Sequence, residues 1–196
     1  MENKKRINSR YLASGGILAA ISVVLMFVET PLPMMPSFLK LDISNIPALI
    51  GGFAFGAPIG VLIVLVKDLI HMTITQTAFV GELADFLVSG SFVFCASLIY
   101  SYKKSRKRAF IGMGCGILAM VIVGAVMNYY VLLPFYAKAY MPMEQIISLC
   151  SQINSLIVDK LTYVIYGVIP FNIIKGLVIS LITALTYKHI SKIIHK

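Results

Sequence analysis

The run from Leu161 to Tyr187 is long and apolar enough to cross a bilayer, yet it carries one charged residue, Lys175. Asn172 stands three positions earlier, so on a helix the two side chains share a face. A lysine at the centre of a lipid-facing helix costs roughly 2.5–3.5 kcal/mol on insertion scales. That face must therefore turn towards a protein-lined, partly polar cavity. A membrane protein that holds a ligand is the first expectation.

Composition supports the membrane part. Of 196 residues, 59% are hydrophobic and only 13% charged, where a soluble domain carries about 25% charged residues. The formal net charge of +9 is concentrated: Lys4, Lys5, Arg6 and Arg10, then Lys103, Lys104, Arg106, Lys107 and Arg108, then Lys188, Lys192 and Lys196. Each cluster abuts an apolar run, the distribution of cytoplasmic loops under the positive-inside rule. No aromatic or glycine pattern accompanies these residues, so nucleic acid is not an expected partner. Cys95, Cys115 and Cys150 form no CxxC pair, which argues against a metal or disulfide role.

The first apolar stretch follows a basic N-terminus but runs into Glu29-Thr-Pro-Leu-Pro without a small-x-small cleavage site. It reads as a retained helix and not as a signal peptide. Phe55-Gly56-Ala57-Pro58 interrupts the second run with a helix stop and a proline suited to a new start. Splitting there predicts an all-α bundle of six transmembrane helices, about 11–29, 46–56, 58–71, 83–102, 109–135 and 161–187, in a single membrane domain over 1–196. With six, every basic cluster and both termini are cytoplasmic. The two short helices fall below the ~20 residues of a comfortable crossing and should be shielded by neighbours. The halves do not match in hydropathy, which disfavours an inverted-repeat transporter.

Pro31, Pro33 and Pro36 stiffen the first outer connection, and Leu39 to Ser44 alternates as an extended segment would. Such a loop suits a lid over a pocket, and also a plain connector. Ser44 or Asn45 is a candidate cap for the next helix. An amphipathic turn is expected around Met143 to Leu156. Asn128 lies about 10 Å inside the fifth helix at 1.5 Å per residue, as a ligand contact or an interhelical peg. With Asn172 and Lys175 it forms a candidate ligand set. Glu82 and Asp85 suit a helix N-terminus, and Lys67 and Asp68 read as a snorkelling lysine with a local partner. Gly15 and Gly16 precede Ala19 and Ala20 by four residues, and Gly112 and Gly116 repeat that spacing, for close contact within the bundle or with a partner. No HExxH, GxSxG or phosphate-binding glycine loop is present. An enzyme using Lys175 or Glu82 and Asp85 as acid or base is the weaker alternative.

Leu39-Lys-Leu-Asp-Ile-Ser-Asn-Ile-Pro-Ala-Leu-Ile-Gly-Gly-Phe-Ala-Phe-Gly-Ala-Pro58 resembles the signature of the RibU family, the riboflavin-binding S components of energy-coupling-factor (ECF) vitamin transporters. Val66 to His71, Gly81 to Leu87, Asn128 to Pro134 and Pro170 to Gly176 also look like that family, in order along the chain. Asp68 and Asn45 depart from the expected residue types. The resemblance implies an S-component-like fold in the bacterial cytoplasmic membrane, no cofactor, and riboflavin as the transported ligand. It implies docking on a transmembrane coupling protein with two ATPases. Asn128, Asn172 and Lys175 would be the polar contacts. The segment Lys40, Leu41, Asp42 and Ile43 and the turn Gly81–Glu82 would close the pocket. Gly15, Gly16, Ala19 and Ala20 would meet the coupling protein. An S component for folate, thiamine or biotin is the alternative within the class.

Overall fold

Gly56 separates two helices that the hydropathy profile joins. Its φ of 102° lies in the region that side chains disfavour, which lets the chain stop α2 (Asn45–Phe55) and begin α3 (Ala57–His71) one residue later, with Pro58 in the first turn. The computed structural model describes residues 9–32, 39–75 and 77–194, with side chains from Ala13 to Thr186. Lys4, Lys5, Arg6, Lys196, Pro33 and Pro36 lie outside the described residues, as do the side chains of Arg10, Lys188 and Lys192.

The remaining helices are α1 (Ser9–Met26), α4 (Val80–Tyr102), α5 (Arg106–Met127), α6 (Leu133–Ala139), α7 (Met143–Ile153), α8 (Lys160–Tyr163) and α9 (Ile169–Ile194). Among the described residues four stretches are long and apolar enough to cross a membrane: Ala57–Ile74, Val80–Tyr102, Arg106–Ala139 and Lys160–Thr186. Two shorter apolar helices, Ala13–Met26 and Asn45–Phe55, accompany them. The shielding expected of both short helices is found for α2, buried from Asn45 to Phe53. It is not found for α3. A 3-10 turn at Met72–Ile74 lengthens that helix, and Leu62, Leu69 and Ile70 are exposed on it.

Thr30–Pro31 (β1) and Lys40–Leu41 (β2) pair antiparallel, as the alternation after Leu39 suggested. Ser44 precedes α2 but makes no side-chain cap. Its hydroxyl instead donates to Asp42 Oδ1, and Asn45 Nδ2 donates to Ser89 Oγ at 2.7 Å.

Two π-helical turns, Asn128–Leu132 and Val164–Val168, join α5 to α6 and α8 to α9. Each ends two residues before a proline, Pro134 or Pro170. A proline offers no N–H and crowds the carbonyl one turn back, so a widened turn relieves both problems. Beside the first of these turns the Lys160 ammonium stands 3.9 Å over the Tyr129 ring.

The main core gathers residues of α1, α2, α3, α4, α5 and α9, including Leu18, Leu49, Val64, Phe92, Met120 and Ile179. Small residues bring these helices together. A Cβ on Gly112 would fall 2.6 Å from the Ala96 carbonyl oxygen, and one on Gly116 would fall 2.7 Å from that of Phe92. This stripe therefore serves the α4–α5 contact inside the chain. A second core of Leu133, Ile146, Cys150, Ile157, Tyr163 and Val168 fastens α7 to the two widened turns.

Candidate functional site

A cavity of about 750 Å³ opens at the end of the bundle where α1 finishes and α4 begins. That is within the usual range for small-molecule sites. Its apolar wall includes Met26, Leu39, Val88, Leu132, Ile146 and Phe171. The amphipathic helix α7 covers one side, contributing Leu149, Cys150 and Ile153. Burial pushes the Cys150 thiol up to about 11, which leaves it an inert wall group.

The polar residues expected of the site mostly meet here. Asn128, Asn172, Lys175, Lys40, Asp42, Gly81 and Glu82 all line the cavity. Leu41 and Ile43 do not. Lys40 and Asp42 face in, Leu41 sits in the β1–β2 pair, and Ile43 packs on the main core. Asn128 Nδ2 donates to the Gly124 carbonyl at 2.9 Å, and Tyr163 OH donates to Asn128 Oδ1 at 3.3 Å. Asn172 Nδ2 donates to the Val168 carbonyl at 2.9 Å. Gly124 makes room for that amide, since a Cβ there would lie 2.7 Å from Asn172 Nδ2. Glu82 Oε2 accepts from Thr77 Oγ1 at 2.9 Å, and its Oε1 lies 3.1 Å from His71 Nδ1.

Lys175 is only 4% exposed, and it is not alone. Its ammonium donates to Asp42 Oδ2 at 2.6 Å and reaches Asp85 Oδ1 at 3.4 Å. Asp85 Oδ1 also accepts from Ser89 Oγ at 3.0 Å, while Asp85 Oδ2 takes Lys67 Nζ at 2.5 Å. Lys67 donates further to Asp68 Oδ1 at 2.7 Å. Burial alone would raise the Asp42 carboxyl, but the neighbouring Lys175 outweighs it and holds the group below its ordinary value. Asp42, Asp68 and Asp85 thus share one hydrogen-bonded network with Lys67 and Lys175, spanning α3, α4, α9 and the residues after β2.

This corrects two expectations. Lys67 does not snorkel: it is 0% exposed and bound to Asp68 and Asp85. Asp85 is more than an acid near a helix start, since it bridges both lysines. The sequence did hold a signal for it. Glu82, Asp85 and Ser89 follow at spacings of three and four, a polar stripe along one face of an apolar helix.

The small residues of α1 divide. Ala19 is 6% exposed and packs on the main core, and a Cβ on Gly15 would touch Ile59 at 3.7 Å. Gly16 and Ala20 are exposed, with nothing within 4 Å of a Cβ on Gly16.

Comparison with known proteins agrees with this architecture. Residues 10–187 match the family model of the ECF transporter, substrate-specific component. The riboflavin transporter RibU of Staphylococcus aureus (strain TCH60) is 35% identical over 199 residues, covering 100% of both chains. The riboflavin transporter RibU of Streptococcus thermophilus is 31% identical over 96% of this chain and 86% of its own, and the riboflavin transporter FmnP of Bacillus subtilis (strain 168) is 29% identical over 87% and 86%. A solved structure of the S component of a bacterial ECF transporter superposes with a TM-score of 0.76 at 34% identity, over 96% of this chain and 99% of that one. Transporter relatives and long apolar helices make this a multi-pass protein of the cell membrane and not an enzyme. The chain belongs to the substrate-specific components of ECF transporters.

Proposed function

We propose that this chain captures riboflavin from outside the cell as the S component of an ATP-driven ECF importer. The observation that carries the reading is one cavity lined by Asn128, Asn172 and Lys175 beneath Lys40 and Asp42, in a chain whose relatives are named riboflavin transporters. Riboflavin joins a flat, largely apolar ring system to a polyol tail. Its imide edge offers a donor and acceptors, which an asparagine amide can match. The apolar wall would bury the rings, and Lys175, with a third N–H beyond those aimed at Asp42 and Asp85, would serve a ring carbonyl or a hydroxyl. Glu82 and the Gly81 turn would close the side of the pocket.

In this reading the single membrane domain crosses six times: α1, α2, α3 with its 3-10 turn, α4, α5 with α6, and α8 with α9. Both termini and the 103–108 loop are cytoplasmic, and the cavity opens outward. The 11 residues of α2 cover only about 16 Å and cross inside the bundle. A transmembrane coupling protein and two ATPases complete the importer, with Gly16 and Ala20 on the exposed face of α1 as the contact to the coupling protein.

Purification in detergent from cells grown with riboflavin tests the assignment. A yellow preparation with equimolar flavin is expected. A colourless preparation that also leaves added riboflavin fluorescence unquenched would overturn it.

A further inference from the structure

We propose that Lys67, which does not line the cavity, is a positioning residue for the bound ligand: through Asp85 it keeps Lys175 on Asp42 and so holds strand β2 against the site. The inference rests on the proposed function, because it concerns the same cavity.

Lys67 sits on α3, 0% exposed, and no atom of it reaches the lining. Its ammonium occupies Asp85 Oδ2 at 2.5 Å. The other oxygen, Asp85 Oδ1, then takes the Ser89 hydroxyl at 3.0 Å and leaves Lys175 at the longer distance of 3.4 Å. Lys175 is thereby free to make its shorter bond to Asp42 Oδ2, at 2.6 Å. Asp42 follows β2 directly and is locked to the start of α2 by the Ser44 N–H at 2.9 Å. Ser22 on α1 donates to the Ser44 carbonyl at 2.5 Å, so the tether continues into α1.

Removal of Lys67 changes the competition. A buried carboxylate without a partner is costly, so Asp85 would draw Lys175 towards itself. Two carboxylates would then compete for one ammonium, and Asp42 would lose its hold. The ammonium that faces the ligand would move, and β2 would loosen with it. Asp68 allows a clean test, because it is bonded to the same lysine at 2.7 Å. Substituting both, Lys67→Met with Asp68→Asn, removes the lysine without leaving beside it a buried carboxyl that has lost its partner.

The measurement is riboflavin affinity and dissociation rate, by flavin fluorescence, on detergent-purified full-length chain. Four forms are compared: wild type, Lys67→Met/Asp68→Asn, Asp42→Asn, and all three changes together. The paired change should weaken affinity about tenfold, chiefly through faster dissociation, and the loss should largely disappear when Asp42 is already Asn, as coupled sites behave. A purely structural role would give losses that multiply. Multiplying losses, or wild-type affinity in the paired variant, would overturn the inference while leaving the function standing. A wild type that does not quench riboflavin overturns both. Should the methionine form fail to fold, Lys67→Gln/Asp68→Asn replaces it and is judged by the same criterion.

Discussion

At the end of the bundle away from the cavity, helices meet chiefly through missing side chains; at the cavity end they meet chiefly through ion pairs and hydrogen bonds. Gly60 approaches so closely that a Cβ there would lie 2.8 Å from Gly52 Cα and 3.0 Å from the Ala48 carbonyl oxygen. Gly112 and Gly116 do the same against α4. Around the cavity the contacts are instead Lys67 to Asp85, Lys175 to Asp42, and Asn45 to Ser89. In lipid, apolar surface gives helices little reason to associate, so close packing and internal polar bonds must do it. The glycine end tolerates no gap and so suits a fixed frame. The charged end can exchange partners, which suits a site that must accept and release a guest.

The sharpest way to break this contrast is at Lys175. Lys175→Leu leaves Asp42 and Asp85 without their shared cation, and removing one partner of a buried pair costs about 3–5 kcal/mol. Flavin binding is expected to fall by about a hundredfold, because a charged hydrogen-bond donor to the ligand is lost, a contact worth about 1.5–3 kcal/mol. Titration of flavin fluorescence checks it, and unchanged affinity would remove Lys175 from the site. Next in size is Gly112→Leu, whose new carbon meets a backbone oxygen that cannot move aside. Overpacking of this kind costs about 1–3 kcal/mol and should lower the thermal aggregation midpoint of the detergent-solubilised chain. Gly114→Leu, two residues on, puts its Cβ where nothing lies within 4 Å and should leave that midpoint in place. Equal effects of the two leucines would dissolve the idea of a glycine-fitted frame.

Smaller still for the ligand is Gly16→Leu with Ala20→Leu. Flavin affinity should stay within about twofold, since surface changes away from special features stay within ±0.5 kcal/mol, while copurification of the coupling protein is lost. The least effect is expected on Cys150 itself. With its thiol up at about 11, only about one molecule in a thousand carries the thiolate at pH 8. Labelling by a maleimide should therefore be slow and rise about tenfold per pH unit until near 11. Fast labelling at pH 8, unaffected by riboflavin, would show that α7 does not cover the cavity.

Much of this was legible in the sequence, and the parts that were not have physical reasons. The Gly56 break, the strand after Leu39 and the polar face of Asn172 and Lys175 are local features, set by backbone freedom and periodicity. The partners of Lys175 are not local: Asp42 and Asp85 are distant in the chain, and no spacing rule connects them. Lys67 departs from expectation because a lysine near a helix end can snorkel in principle, and only the approach of α4 shows why it does not. The α1 stripe divides because four-residue spacing names a face without saying which way it turns. Leu41 and Ile43 drop out of the lining because a motif names a stretch of chain, and only the fold decides which of its side chains face the cavity.

The two widened turns have a consequence for how such a helix can change over time. Each inserts about one residue beyond regular winding, so everything past it is rotated by about 100° relative to an uninterrupted helix. Deleting a single residue at 164–168 would make α8 and α9 one smooth rod, but would swing Asn172 and Lys175 a quarter-turn out of alignment with Tyr163. Single-residue gaps in these segments are therefore closed to drift, and helical-wheel projections drawn through them will misassign whichever end was not used to set the phase.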